Sequence, residues 1–153
     1  MKEKICVIGL GYVGLPLAVA FAEKFQVVGF DISNDRIQEL ENGHDKTLEI
    51  EDELLQLVKS SIVYTGNIQD TNDCNIYIIT VPTPIDSTNR PNLTHLIESS
   101  RFVGSVLSQD DIVIYESTVY PGVTEDVCVP ELEKSSGMKF NKDFFLRLFS
   151  RKN

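Results

Sequence analysis

The turn Gly9-Leu10-Gly11-Tyr12-Val13-Gly14 leaves this chain fewer choices than any other stretch. Ile5-Cys6-Val7-Ile8, just before it, is a short apolar run of the kind that makes a strand buried on both faces. Leu15, Leu17, Ala18, Val19, Phe21 and Ala22 follow in a largely apolar helix that ends near Lys24. Gln26-Val27-Val28-Gly29-Phe30 reads as a second buried strand and delivers Asp31 at its carboxyl end. Strand, glycine turn, helix, strand and acid, in that order, make one βαβ unit with the spacing of a dinucleotide-binding site. Gly9 permits the tight turn out of the strand. Gly11 has no Cβ, so a pyrophosphate can come close to the backbone at the positive end of the helix. Gly14 lets helix and strand pack closely.

Asp31, 17 residues after Gly14, can accept hydrogen bonds from both hydroxyls of an adenosine ribose. A carboxylate there repels a 2′-phosphate, so the expected cofactor is NAD rather than NADP. Arg36 lies five residues further on. It reads equally as a flank of the adenine ribose or as a solvated helix residue.

A chain of 153 residues can bury the core of one domain and is too short for two large ones. The formal net charge of −9 argues against nucleic-acid and anionic-membrane partners, either of which needs a basic patch. Cys6, Cys74 and Cys128 are odd in number, far apart and set in apolar or helical contexts. They read as reduced core thiols of a cytoplasmic protein, neither a disulfide framework nor a metal site. No apolar run reaches membrane-spanning length, and no leader pattern precedes the first strand.

Beyond Asp31, Ser33 is placed to cap a helix in which Ile37 and Leu40 face the sheet and which Asn42-Gly43 ends. Residues 44–50 are polar and read as a loop; Leu54, Leu55, Leu57 and Val58 then recur at helical spacing. Ile62 to Thr65 and Asn75 to Val81 are the third and fourth strands, with a turn or short helix between them. The two prolines of Val81-Pro82-Thr83-Pro84-Ile85-Asp86 bar a helix and predict an extended loop. A helix from Pro91-Asn92-Leu93 to about Leu107 leads to a fifth strand, Asp111 to Tyr115. The loop Glu116 to Gly122 follows, then a helix capped by Thr124 and ending near Gly137, and a sixth strand over Lys139 to Leu146. Strands alternating with helices in this way predict a single α/β domain, a doubly wound parallel sheet of Rossmann type. The glycine turn, Asp31, Pro82–Asp86 and Glu116–Gly122 all fall at the carboxyl ends of strands, where such sheets bind ligands.

Three of these segments together resemble the UDP-glucose/GDP-mannose dehydrogenase family: Gly9 to Pro16, Val81 to Pro84, and Glu116-Ser117-Thr118-Val119-Tyr120-Pro121-Gly122. The wording from Tyr115 to Gly122 looks most like the branch that oxidises UDP-N-acetylhexosamines at C6 for bacterial capsule and other surface polysaccharides. The resemblance implies a two-step, NAD-dependent oxidation of the C6 alcohol to a uronate. It also implies a longer protein with a helical dimerisation segment and a UDP-sugar-binding domain, assembled as a homodimer or larger oligomer. Residue by residue, it assigns the adenosine half of NAD to Gly11, Tyr12, Val13, Asp31 and Arg36. Pro82, Thr83 and Thr118 would meet the cofactor further along the cleft, and Thr118 would help to position water near the reacting carbon. Backbone capping in proline-containing turns is the competing role for Thr83 and Thr118.

The family's nucleophilic cysteine, catalytic lysine and nucleotide-sugar pocket have no counterpart in these residues. Thioester chemistry needs an activated thiolate beside a general base, and none of the three cysteines is so placed. The expectation is an NAD-binding domain that is inactive alone, with a free-standing NAD-binding module as the alternative. Another hydride-transfer partner domain, of the 3-hydroxyacyl or 6-phosphogluconate type, accounts less well for the Pro82–Pro84 and Glu116–Gly122 loops. The family continues Asp143-Phe144-Phe145 with Cys or Val and then Gly-Tyr-Ser-Pro-Glu-Arg, whereas this chain reads Leu146-Arg147-Leu148-Phe149-Ser150-Arg151-Lys152-Asn153. One set of codons for that tail, read after dropping its first base, restores Cys-Gly-Tyr-Ser-Pro-Glu-Arg. Residues 1–145 are therefore expected to be the domain and 146–153 a frameshifted tail.

Overall fold

The short apolar runs become strands because β-branched residues pack well on a pleated surface that is covered on both faces. In the computed structural model, which describes residues 3–116 and 122–148, they form β1 (Lys4–Ile8), β2 (Gln26–Phe30), β3 (Ile62–Thr65), β4 (Ile76–Ile79), β5 (Ile112–Tyr115) and β6 (Phe145–Leu148). The described residues make one sheet in the order β3-β2-β1-β4-β5-β6, with every pairing parallel. This is the doubly wound order, and its reversal point lies between β1 and β4.

Side-chain alternation divides the core between the two faces of the sheet. Ile5, Val7, Val27, Ile62 and Ile78 meet Leu15, Ala18, Val19, Ile37, Leu40 and Leu55 on one face. These come from α1 (Gly14–Ala22), α2 (Asn34–Glu41) and α3 (Asp52–Leu57). On the other face Cys6, Ile8, Phe30, Tyr77, Ile79, Val113 and Tyr115 meet Leu96, Val103, Leu132 and Phe144. There the covering helices are α4 (Thr94–Gly104) and α5 (Val129–Ser136). Each large aliphatic side chain buried this way contributes about 1.5–3 kcal/mol.

Local chemistry sets the helix boundaries. Ser33 Oγ accepts the Arg36 N–H at 3.2 Å and caps α2 as expected. Gly137, at φ 71°, ends α5. Thr124 does not cap that helix: residues Thr124–Cys128 form a π-helical turn leading into it, and Thr124 is buried. Nor does the sixth strand begin at Lys139. Asp143 Oδ2 accepts the Lys139 N–H at 2.8 Å and Asn141 lies at φ 64°, so residues 139–144 turn back before extending. The boundary expected after Phe145 accordingly falls inside β6, and Leu146 is buried against the sheet. Residues 149–153, most of the expected tail, lie outside the described residues.

Candidate cofactor site

The glycine turn is held in place by its own backbone before any ligand is considered. Gly9 donates its N–H to the Phe30 carbonyl at 2.8 Å and takes up φ 94°, which favours glycine. A Cβ added at Gly14 would lie 1.7 Å from the Gly9 carbonyl oxygen and 2.5 Å from Thr80 Oγ1. Gly14 therefore closes the turn on itself, a tighter requirement than helix-to-strand packing. Thr80 Oγ1 donates at 3.0 and 2.9 Å towards the carbonyls of Ile8 and Gly9, tying the end of β4 to the turn.

This construction leaves donors over. Helix α1 has Val13 at its N-cap and no side-chain cap. Among the described residues, the N–H groups of Gly11, Tyr12 and Val13 have no acceptor. Open space lies where a Gly11 Cβ would point. Unsatisfied N–H groups at a helix start, with room in front of them, fit an anionic pyrophosphate.

Asp31 stands at the other side of the turn. Its Oδ2 accepts the Leu10 N–H at 2.9 Å and its Oδ1 the Ser33 N–H at 2.9 Å. These bonds hold the half-buried carboxylate in the wall of a cleft that Tyr12 (69% exposed) and Ile32 (64% exposed) also line. The cleft measures about 480 Å³. Gly9, Gly11, Tyr12, Val13, Asp31, Pro82 and Thr83 line it, as does Glu116 at the end of β5. Of the expected residues, Thr118 lies outside the described segment.

Arg36 is not a solvated helix residue, one of its two expected placements. It is only 7% exposed and does not line the cleft. Its Nε donates to the Leu10 carbonyl at 2.8 Å, and its Nη1 reaches Asp45 at 2.8 Å and Glu39 at 3.1 Å. Burial acts to raise the Asp45 pKa, but hydrogen bonds from Thr47, Arg36 and the Ile50 and Thr47 N–H groups outweigh it and hold it at about 2.

Sequence reasoning missed the α4 side of the cleft. His95, Glu98, Ser99 and Phe102 line it, and the Phe102 ring lies 5.5 Å from that of Phe30, centroid to centroid. It also read residues 82–90 as plain loop and began the next helix at Pro91, whereas Pro91 bridges Ile85 and α4 starts at Thr94. Asp86 folds this loop into a hairpin: its N–H bonds the Arg90 carbonyl at 2.9 Å, and its Oδ1 accepts from Arg90 N–H and from Thr88. Those bonds, with the Arg90 N–H first, lower the Asp86 pKa. An aspartate two residues before a threonine is the signal that could have marked both this hairpin and the Asp45 loop.

The three cysteines are buried free thiols and none lines the cleft. Burial, and after it the neighbouring Cys74, pushes the Cys6 thiol well up; burial likewise raises Cys128. Neither thiol has the electropositive, accessible surroundings that make a thiolate nucleophile.

The sequence model for the UDP-glucose/GDP-mannose dehydrogenase family, NAD binding domain, matches residues 3–148. The chain is 57% identical over 146 residues to a UDP-N-acetyl-D-glucosamine 6-dehydrogenase of Pseudomonas aeruginosa, covering 95% of this chain and 34% of that protein. A Salmonella typhi protein of the same name is 55% identical over 145 residues, with the same coverage of 95% and 34%. Among solved structures, UDP-D-ManNAc dehydrogenase from Pyrococcus horikoshii superposes with a TM-score of 0.89 at 35% identity, over 95% of this chain and 35% of that one. The chain thus spans about a third of the length of the curated relatives it matches.

Proposed function

Because the chain belongs to the UDP-glucose/GDP-mannose dehydrogenase family, as its NAD-binding domain, we propose that it seats the NAD of a UDP-N-acetylhexosamine 6-dehydrogenase. The reaction would convert a C6 alcohol to a carboxylate for bacterial surface polysaccharide. Bound NAD supplies the hydride acceptor for such an oxidation. The chain's own residues bind and orient it. The N–H groups of Gly11, Tyr12 and Val13 receive the pyrophosphate, and the Asp31 carboxylate receives the ribose hydroxyls while rejecting a 2′-phosphate. Phe30, Ile32, Val81 and Phe102 offer apolar walls to the cleft. Pro82, Thr83 and Glu116 border the cleft beyond the turn, and Thr118 keeps the role that its motif implies.

The observation that carries this reading is the set of unsatisfied N–H groups facing the same cleft as Asp31. Calorimetric titration of the chain with NADH and NADPH tests it. NADH is expected to bind more tightly by about tenfold or more. Equal or tighter NADPH binding overturns it. A uridine-nucleotide sugar, which the names of the longer relatives carry, and a second copy of the enzyme, which the family resemblance implies, are proposed as partners of this chain. Among the described residues, no helix is long and apolar enough to cross a membrane.

A further inference from the structure

Asp45 is a charged residue in a polar loop, yet it is only 1% exposed. Among the described residues its carboxylate collects five hydrogen bonds. Oδ1 accepts from Arg36 Nη1 at 2.8 Å, Thr47 N–H at 3.0 Å and Thr47 Oγ1 at 2.7 Å. Oδ2 accepts the N–H groups of Glu49 at 3.0 Å and Ile50 at 3.1 Å. A buried carboxylate this fully satisfied is a fixed point to which a guanidinium can be anchored.

What the anchored guanidinium holds is one particular atom. Arg36 Nε donates to the carbonyl oxygen of Leu10, itself wholly buried. That carbonyl shares a planar peptide unit with the N–H of Gly11. Fixing the oxygen therefore fixes the direction in which the Gly11 N–H points, which is away from Arg36. The preceding peptide is fixed as well, because Asp31 Oδ2 accepts the Leu10 N–H. The Gly11 N–H has no acceptor among the described residues, and Gly11 lines the cleft.

Arg36 is not placed to attract an anion by its own charge. It faces the two carboxylates of Asp45 and Glu39, and among the described residues its buried Nη2 has no hydrogen-bond partner.

We infer that Asp45 and Arg36 are positioning residues for the pyrophosphate of the dinucleotide. The carboxylate fixes the guanidinium, the guanidinium fixes the Leu10 carbonyl, and the peptide plane presents the Gly11 N–H to the anion. This rests on the NAD reading above and adds Asp45, from a loop outside the cleft, to the machinery of that site.

The test is titration of the whole chain, wild type and Asp45→Asn, with three ligands: NADH, ADP-ribose and adenosine. Losing the anchored charge is expected to weaken NADH and ADP-ribose by about tenfold while adenosine, which has no pyrophosphate, keeps its affinity. The Gly11 amide resonance of the unliganded variant is expected to shift as its peptide plane turns. An equal loss for all three ligands, or no loss for any, overturns the inference. If Asp45→Asn does not fold, Thr47→Ala removes only the hydroxyl bond to Asp45 and reads the same pattern at about two- to threefold. Wild-type chain that binds none of the three ligands defeats the NAD reading and the inference with it. Wild-type binding with an unchanged variant defeats the inference alone.

Discussion

The carbonyl oxygen of Gly9 sits 1.7 Å from where a Cβ on Gly14 would be, so these two glycines are closed on each other by contact. Nothing lies within 4 Å of the corresponding point on Gly11. Gly14→Ala is therefore expected to lower stability by roughly 3 kcal/mol or more, because backbone rather than a flexible side chain must move. Gly11→Ala should melt within a few degrees of wild type yet bind NADH about tenfold more weakly, its methyl group taking the space in front of the turn. Thermal denaturation and calorimetry on the two variants separate the roles. Comparable melting temperatures for both would refute the assignment.

Asp31→Ala removes the acceptor for two backbone N–H groups and the charge in the wall of the cleft. A loss of about 1–2 kcal/mol in stability is expected. NADH binding should weaken while NADPH binding holds or improves, narrowing the preference between the two. A variant that keeps the wild-type ratio of affinities would show that selectivity lies elsewhere.

Acid should unlock the Asp45 anchor. Its pKa is depressed from 3.8 to about 2 in the folded chain. The stabilisation is therefore complete above the unfolded-state value and is lost as pH falls through the folded one. The shift corresponds to about 2 kcal/mol, lost between about pH 4 and pH 2. Urea titrations across that range should show the decline, with Asp45→Asn less stable at neutral pH and flatter below pH 4. A wild-type profile as flat as the variant's would contradict the depressed value.

Thiol chemistry gives a further check. Cys6, Cys74 and Cys128 are all buried, so alkylation of the native chain should be slow and should track unfolding in denaturant. By the same reasoning no reduced nicotinamide should appear when this chain alone is mixed with NAD and UDP-N-acetylglucosamine. Turnover that disappears when one of these three cysteines is replaced by serine would overturn that expectation.

The residues that sequence alone made legible are those whose chemistry is local. Gly9, Gly14 and Asp31 declare themselves by spacing within one βαβ unit, and Ser33 by its place before a helix. Thr80, His95, Glu98 and Phe102 reach the cleft only because β4 docks beside β1 and α4 packs over the sheet, so no short-range pattern marks them. Asp45 looks like any polar loop residue until Arg36 folds back to meet it. Arg36 in turn looks like a surface residue because only Glu39 among its partners is close in sequence, while Leu10 lies 26 residues before it and Asp45 nine after it. The expected sixth strand began too early because Phe140, Phe144 and Phe145 suggest an extended run, whereas Asn141 and Asp143 build a turn among them.

The bond from Thr80 to the Gly9 carbonyl joins positions 71 residues apart. During synthesis, then, the glycine turn leaves the ribosome long before the threonine that braces it, and Phe102 and Glu116 emerge later still. The first βαβ unit cannot use the dinucleotide as a folding template, since two walls of the cleft do not yet exist. Cofactor capture belongs to the end of this domain's assembly, and a nascent chain arrested before β4 should pass through an affinity column for the nucleotide unretained.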